Sequence, residues 1–226
     1  MKLKAGKSQS DEDLFKHLGE FIEERFKKGV KKVERIFNKT PPPDDEAFSY
    51  LRAFIDDKGV ASIVPSSKFL VNRVIKAMDL SRARLVVEYG AAEGVMTRKV
   101  LERLPASAQL IAVELNPKLF ASLKRIADPR LRVVQGDVRQ IDKILEGVPP
   151  GSVDAIFSGI PFAFLRGRER HELMLKTSQF LRPQGRFVAY QVTTHLLPLL
   201  RYHFQDVDVQ YELRNLPPHF VFTGIK

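Results

Sequence analysis

The sequence predicts an α/β fold: a largely parallel sheet with helices on both faces and an antiparallel hairpin at its end. Three observations carry this. From residue 84 onward, short apolar runs alternate with helical patterns, the order that builds βαβ units. The last two apolar runs are separated by Asn215-Leu-Pro-Pro, a link too short for a crossover helix, so these strands pair antiparallel. Of the 226 residues 44% are hydrophobic, enough to bury a core.

The elements follow in order. After a polar start, Leu14, Leu18, Phe21, Ile22, Phe26, Val30, Val33 and Phe37 fall at helical spacing on one broad face. Lys27, Lys28, Lys31, Lys32 and Arg35 occupy the opposite face and its flanks, and Gly29 weakens the helix. Thr40-Pro-Pro-Pro-Asp-Asp ends it as a stiff spacer. Residues 1–45 therefore read as a basic amphipathic extension and residues 46–226 as the main domain. Residues 46–58 form a further helix, and Val64-Pro65-Ser66-Ser67 supplies a break and an N-cap for a helix through about Met78. Strands are expected at 85–88, 110–114, 131–135, 153–158 and 185–191, with helices at 93–104, 117–127 and 168–181. Residues 207–213 and 220–225 make the closing hairpin.

Composition narrows the function. The chain has no Cys, which excludes a disulfide scaffold, a zinc ribbon, an iron–sulfur cluster and a thiol nucleophile. No apolar run approaches the ~20 residues of a membrane span, and the basic start lacks the apolar stretch of a secretory signal. Lys and Arg total 37 against 27 Asp and Glu, a formal net charge of +10. Such a charge points to phosphates, of nucleic acid or of lipid. Seven basic groups against one acid lie within residues 25–39, opposite an apolar face. A bilayer interface uses both faces, so the expected address is the cytoplasm, peripherally at an anionic inner membrane surface. The alternative is a helix packed on the protein's own core with its charged face solvated.

Ligands of such sheets bind beyond the carboxyl ends of the strands, where strand order reverses. The first strand of the alternating series runs into Glu88-Tyr89-Gly90-Ala91-Ala92-Glu93-Gly94, whose glycines permit a tight turn and close approach. The second ends at Glu114, 24 residues after Gly90, where a carboxylate can accept both ribose hydroxyls. Gly136-Asp137-Val138 follows the third, offering an acceptor to an adenine amino group. Ala92 stands where a nicotinamide-binding loop needs its middle glycine, whereas S-adenosylmethionine has no pyrophosphate to cradle. Helix capping is the competing role for Glu114 and Asp137. The fourth strand ends in Ser158-Gly159-Ile160-Pro161-Phe162, a hydroxyl, carbonyls and an aromatic that suit a neutral amine aligned for displacement at a sulfonium. Turn and core are the competing roles for Pro161 and Phe162. No metal is implied.

These motifs resemble those of class I S-adenosylmethionine-dependent methyltransferases. Through Val64-Pro-Ser-Ser, Ser158-Gly-Ile-Pro-Phe, Tyr190-Gln191-Val-Thr193 and Asn215-Leu-Pro-Pro, residues 46–226 are similar to bacterial phospholipid N-methyltransferases, which methylate phosphatidylethanolamine. Related enzymes methylate ornithine lipids. The resemblance implies a Rossmann-like seven-stranded sheet, S-adenosyl-L-methionine as methyl donor and S-adenosyl-L-homocysteine as product. It implies a cofactor site of Glu88, Tyr89, Gly90, Gly94, Glu114, Leu115, Asp137, Val138 and Ser158, and an amine site of Ser158, Tyr190 and Gln191. It implies lipid contacts from Lys27, Lys28, Lys31, Lys32, Arg35, Phe162, Arg186 and His195, with Arg201 a further candidate; salt bridges are the alternative for Arg186, His195 and Arg201. Ala92 and Glu93 depart from the family's Gly and Thr, and a binding-only or inactive methyltransferase fold is a third reading on that ground. The chain also resembles the rRNA adenine dimethyltransferases, which carry Asn where Ser158 stands and an aromatic where Phe162 stands. Without that Asn, and with the sequence stopping at Lys226 before any RNA-gripping helical domain, RNA adenine N6-methylation is the second reading and no nucleic-acid partner is expected.

Overall fold

The computed structural model describes residues 2–3, 66–162, 165–215 and 218–226. The basic segment with Lys27, Lys28, Lys31, Lys32 and Arg35, the proline spacer, the helix expected at 46–58 and the boundary near residue 45 lie outside these residues. Ser67 caps α1 (Lys68–Met78): its hydroxyl accepts the Leu70 N–H at 3.3 Å, and its own N–H donates to Asn215 Oδ1 at 2.8 Å. Leu70, Val71, Val74, Ala77 and Met78 recur at helical spacing and are buried.

The strands are β1 (Lys2–Leu3), β2 (Leu85–Tyr89), β3 (Gln109–Glu114), β4 (Leu131–Gln135), β5 (Val153–Ser158), β6 (Leu181–Gln191), β7 (Asp206–Glu212) and β8 (His219–Ile225). They form one sheet in the order β1-β7-β8-β6-β5-β2-β3-β4, parallel from β6 to β4 and antiparallel around β8. The seven expected strands are all present. The two-residue β1 adds an eighth by pairing Lys2 with Gln210 and Leu3 with Val209, which occupies the open edge of β7.

The remaining helices are α2 (Val95–Leu101), α3 (Pro117–Leu123), α4 (Ile141–Ile144), α5 (Gly167–Phe180) and α6 (Leu197–His203). α2 stops before residue 104, and the Arg130 guanidinium takes the Leu101 and Leu104 carbonyls at 2.9 and 2.7 Å. α6 has seven residues with a proline in its first turn, too short for its period to be read. β6 begins at Leu181 rather than 185, because Arg182–Gly185 bulge out between the Val153–Leu181 and Ala155–Arg186 pairs.

Strand order reverses at β2, between β5 and β3. Tyr89 lies opposite both Val113 and Ser158, and Ser158 lies opposite Ala189, so the carboxyl ends form one rim. The β7–β8 turn returns to this rim. There Glu212, buried on β7, accepts from Arg73 of α1 at 2.9 and 3.0 Å and from Arg214 Nε at 2.8 Å, tying α1 to the hairpin. Arg186 sits at the other end of β6, where it donates to Ala77 O at 2.9 Å and Asp79 Oδ2 at 3.3 Å. The expectation of a lipid contact is corrected: Arg186 secures the end of α1, away from the rim.

Hydrogen bonds from Arg214, aided by Arg73 and opposed by burial, hold the Glu212 carboxyl near pKa 2, below its ordinary 4.5. The stability this adds is full above pH 4.5 and lost as pH falls toward 2. Glu212→Gln is expected to cost about 2 kcal/mol at neutral pH. Urea unfolding should also show a smaller loss of stability on acidification in the variant than in the native chain.

Candidate active site

Glu88, at the end of β2, is 2% exposed, and Thr97 Oγ1 donates to its Oε2 at 2.6 Å. Burial pushes this carboxyl up to about 8, the Thr97 bond opposing and the Glu114 charge adding. The loop then turns sharply. Gly90 and Ala91 both donate to Val113 O, at 2.9 and 3.2 Å. Gly90 has φ +72°, and a Cβ there would lie 2.6 Å from Ile160 Cγ2, so both backbone and space demand glycine. Ala92 adopts φ +49°. The left-handed backbone costs a residue with a Cβ about 1 kcal/mol. The Ala92 N–H donates to Glu114 Oε2 at 2.8 Å, a charge-assisted bond that offsets this cost.

Glu114 is 6% exposed, and its Oε1 accepts from Asn116 N at 2.8 Å. Asn116, not Glu114, caps α3, accepting from Lys118 and Leu119. Each Glu114 oxygen therefore keeps a lone pair for a ligand, and the neighbouring Leu115 presents an exposed apolar side chain. Asp137 caps the 3₁₀ turn Val138–Gln140 and pairs with Arg139, whose Nη1 also reaches Glu169 Oε1 at 2.9 Å. Capping thus describes Asp137. Tyr89 and Val138, expected at the cofactor site, turn their side chains away from the rim. Tyr89 is fully buried and shares a hydrogen bond with Thr177 at 3.1 Å, and Val138 is a core residue, so only their backbones reach the rim.

Ser158 and Gln191 converge on Ile160. Ser158 is wholly buried and its Oγ accepts the Ile160 N–H at 3.3 Å. Gln191 Nε2 donates to Ile160 O at 2.8 Å and to Tyr190 O at 3.0 Å. This fixes the amide, since its oxygen would otherwise face two carbonyl oxygens; Gln191 Oε1 meets no partner among the described residues. Tyr190 lies against Gly159, where any side chain would overlap the Tyr190 hydroxyl. Burial and the Glu88 charge raise the Tyr190 phenol, which stays protonated. Phe162 is 2% exposed and meets the Phe187 ring edge-on at 6.0 Å, so the expected lipid contact is corrected to a core residue. His195 and Arg201 are exposed, in the β6–α6 connection and on α6.

The sequence reading missed Thr97, Arg139 and Ile160. Thr97 had one signal, since a buried Glu88 needs a donor and the first turn after the glycine loop is the nearest source. Ile160 had none, because its backbone carries the contacts.

A methyltransferase-domain family profile matches residues 86–185. The ornithine lipid N-methyltransferase of Singulisphaera acidiphila is 31% identical over 164 residues, 70% of this chain and 84% of that protein. The ribosomal RNA small subunit methyltransferase A of Dehalococcoides mccartyi is 34% identical over 83 residues, 36% of this chain and 28% of its own length. The crystal structure of Burkholderia thailandensis 1,6-didemethyltoxoflavin-N1-methyltransferase, with S-adenosylhomocysteine bound, covers 80% of this chain and 86% of its own. Its TM-score is 0.60 at 20% identity, a likeness of fold.

Gly147 also has a left-handed backbone, but open space where its Cβ would lie. Gly147→Ala is expected to cost about 1 kcal/mol. Gly90→Ala should cost clearly more in denaturant unfolding, because the Ile160 contact adds to the same backbone penalty. Equal costs would show that the contact imposes no constraint.

Proposed function

Since this chain belongs to the S-adenosylmethionine-dependent methyltransferases and takes its methyl group from that cofactor, we propose that it methylates the amine of a membrane lipid headgroup, phosphatidylethanolamine or ornithine lipid, in successive steps. The reading rests on the acceptor side of the rim. Ser158 and Gln191 clamp Ile160, which leaves an amide oxygen and no exposed Phe162 face. An amide oxygen suits an amine N–H, while a flipped base needs an aromatic platform. The similarity to an ornithine lipid N-methyltransferase over 70% of the chain supports the same substrate class.

The residues fit the cofactor. Glu114, with one anchored bond and one remaining lone pair on each oxygen, would hold the ribose hydroxyls, and Leu115 would cover the adenine. Asp137 and the Val138 N–H would meet the adenine's polar edge, and Gly90 and Gly94 would let the backbone approach. Glu88 would answer the cofactor's positive charge. When bound, S-adenosylmethionine supplies a methyl group on a sulfonium, which departs as a neutral thioether. The amine would attack with its lone pair, a C–N bond forming as the C–S bond breaks; an amine that carries an N–H would pass one proton to water, and a tertiary amine would keep the charge as a quaternary ammonium. Gln191 Oε1 would accept a second amine N–H and turn the lone pair inward. Ser158 acts through Ile160 and is a positioning residue. Tyr190, protonated, would supply a neutral hydroxyl at the mouth.

The seven basic groups and one acid of residues 25–39 support docking on an anionic membrane surface. Among the described residues no helix is long and apolar enough to cross a membrane.

Labelled S-adenosylmethionine should be incubated with vesicles of phosphatidylethanolamine, vesicles of ornithine lipid, and ribosomal RNA. Label is expected in lipid, with the protein pelleting on anionic vesicles. Label in RNA alone would overturn the reading. Glu88 yields a second prediction. Its folded value, about 8, exceeds the ordinary 4.5, so the stability it contributes is full below 4.5 and is lost as pH rises to about 8. A cationic ligand favours the ionised form, so cofactor affinity should rise with pH across this range, with proton release. Calorimetry in buffers of different ionisation heat should find both effects abolished in Glu88→Gln.

A further inference from the structure

We propose that the cleft between α5 and α6 holds the oxyanion of the acceptor lipid, with Arg170 as its principal contact. This rests on the lipid reading above and adds the subsite that selects the headgroup. The cleft has a volume of about 330 Å³ and is lined by Arg170 and His171 of α5, His195 of the β6–α6 connection, and Leu199 and Tyr202 of α6. Its lining comes from the segments that follow the carboxyl ends of β5 and β6. α5 follows the loop that leaves β5, and His195 lies four residues beyond Gln191.

Arg170 differs from its basic neighbours. Arg168 pairs with Glu172 at 2.8 Å, and Arg139 pairs with Asp137 and Glu169. Three and four residues beyond Arg170 stand Leu173 and Met174, both buried, so the helix offers it no acid. Among the described residues the Arg170 side chain, half-buried in the cleft wall, meets no carboxylate or carbonyl. A guanidinium taken partly out of water with its donors unmatched is costly, and its planar fork fits an oxyanion with two parallel hydrogen bonds. His195 and His171 add ring N–H groups. The His171 and Tyr202 rings meet edge-on at 5.5 Å, and His171 Nδ1 lies 3.3 Å from His203 Nε2, which joins the two helices. Leu199 supplies an apolar wall for the carbons beside the charged group.

The chemistry matches the proposed substrates. Phosphatidylethanolamine and ornithine lipid each carry one oxyanion, a phosphodiester or a carboxylate, a few bonds from the amine. Holding that group fixes the amine's approach and rejects amines that lack it.

The test uses the full chain and its Arg170→Gln and Arg170→Lys variants. KM and kcat are measured on vesicles of phosphatidylethanolamine, of ornithine lipid, and of a long-chain amino alcohol with no oxyanion. In Arg170→Gln, KM for both oxyanion lipids should rise about tenfold with kcat little changed. Preference over the amino alcohol should fall by the same factor, and Arg170→Lys should recover part of it. The affinity for S-adenosylhomocysteine reports that each variant is folded. In the native chain, inorganic phosphate should shift the Arg170 Nε–H resonance. If the native chain methylates no lipid, the substrate reading fails. If it methylates lipid but Arg170→Gln keeps the native KM and preference, the cleft proposal alone fails.

Discussion

The position of Ile160 governs the rest of the site. Its N–H is taken by Ser158, its carbonyl by Gln191, and its side chain fills the space that a Cβ on Gly90 would need. These three holds come from the ends of β5, β6 and β2, the strands that meet where the order reverses. One residue thus fixes the spacing between the glycine loop and the acceptor side of the rim. A displacement reaction depends on the distance and angle between donor and acceptor, so a rigid spacer is worth more here than a mobile general base.

Electrostatics complete what packing begins. Glu88 and Glu114 lie close enough that the Glu114 charge helps to raise the Glu88 carboxyl. Glu114 is anchored by two backbone N–H groups, whereas Glu88 has a single hydroxyl. The arrangement also explains how Ala92 is accepted where a glycine would relax the chain. The residue is held in the left-handed region by its own N–H bonding to Glu114, so the loop keeps its course despite the substitution.

Much of this was legible in the sequence. The succession of strands and helices along the chain, the glycine loop, Glu114 after β3 and Asp137 after β4 were read from apolar runs and their end residues, which backbone periodicity fixes. What failed was orientation. Strands of a parallel sheet are buried on both faces and lack the alternation that tells in from out. Glu88 and Tyr89 are neighbours that point oppositely, one into the site and one into the core. Phe162, in the loop after β5, takes the core role that competed with a lipid contact. Arg186 was offered as a lipid contact with a salt bridge as the alternative, and the salt bridge is what forms: four residues along a strand are about 13 Å, so Arg186 lies at the far end of β6 from Tyr190, beside Asp79. The basic amphipathic segment lies outside the described residues, so the charge argument stands on sequence.

Asp137 connects the two halves of the site. It would face the adenine, but its Arg139 partner also binds Glu169, and Glu169 accepts the Arg166 N–H at 2.8 Å to start α5. Arg170 stands one turn further along that helix. The cofactor side and the cleft are therefore joined by a short run of ion pairs, partly shielded from solvent, in addition to the Ile160 clamp. Such pairs contribute little to stability when exposed, but they set geometry when half-buried and hydrogen-bonded at both ends. Glu169 is taken by Arg139 and by the Arg166 N–H, and among the described residues Arg170 meets no acid. A half-buried cation that meets no acid among the described residues is the feature that the fold's own stability does not explain.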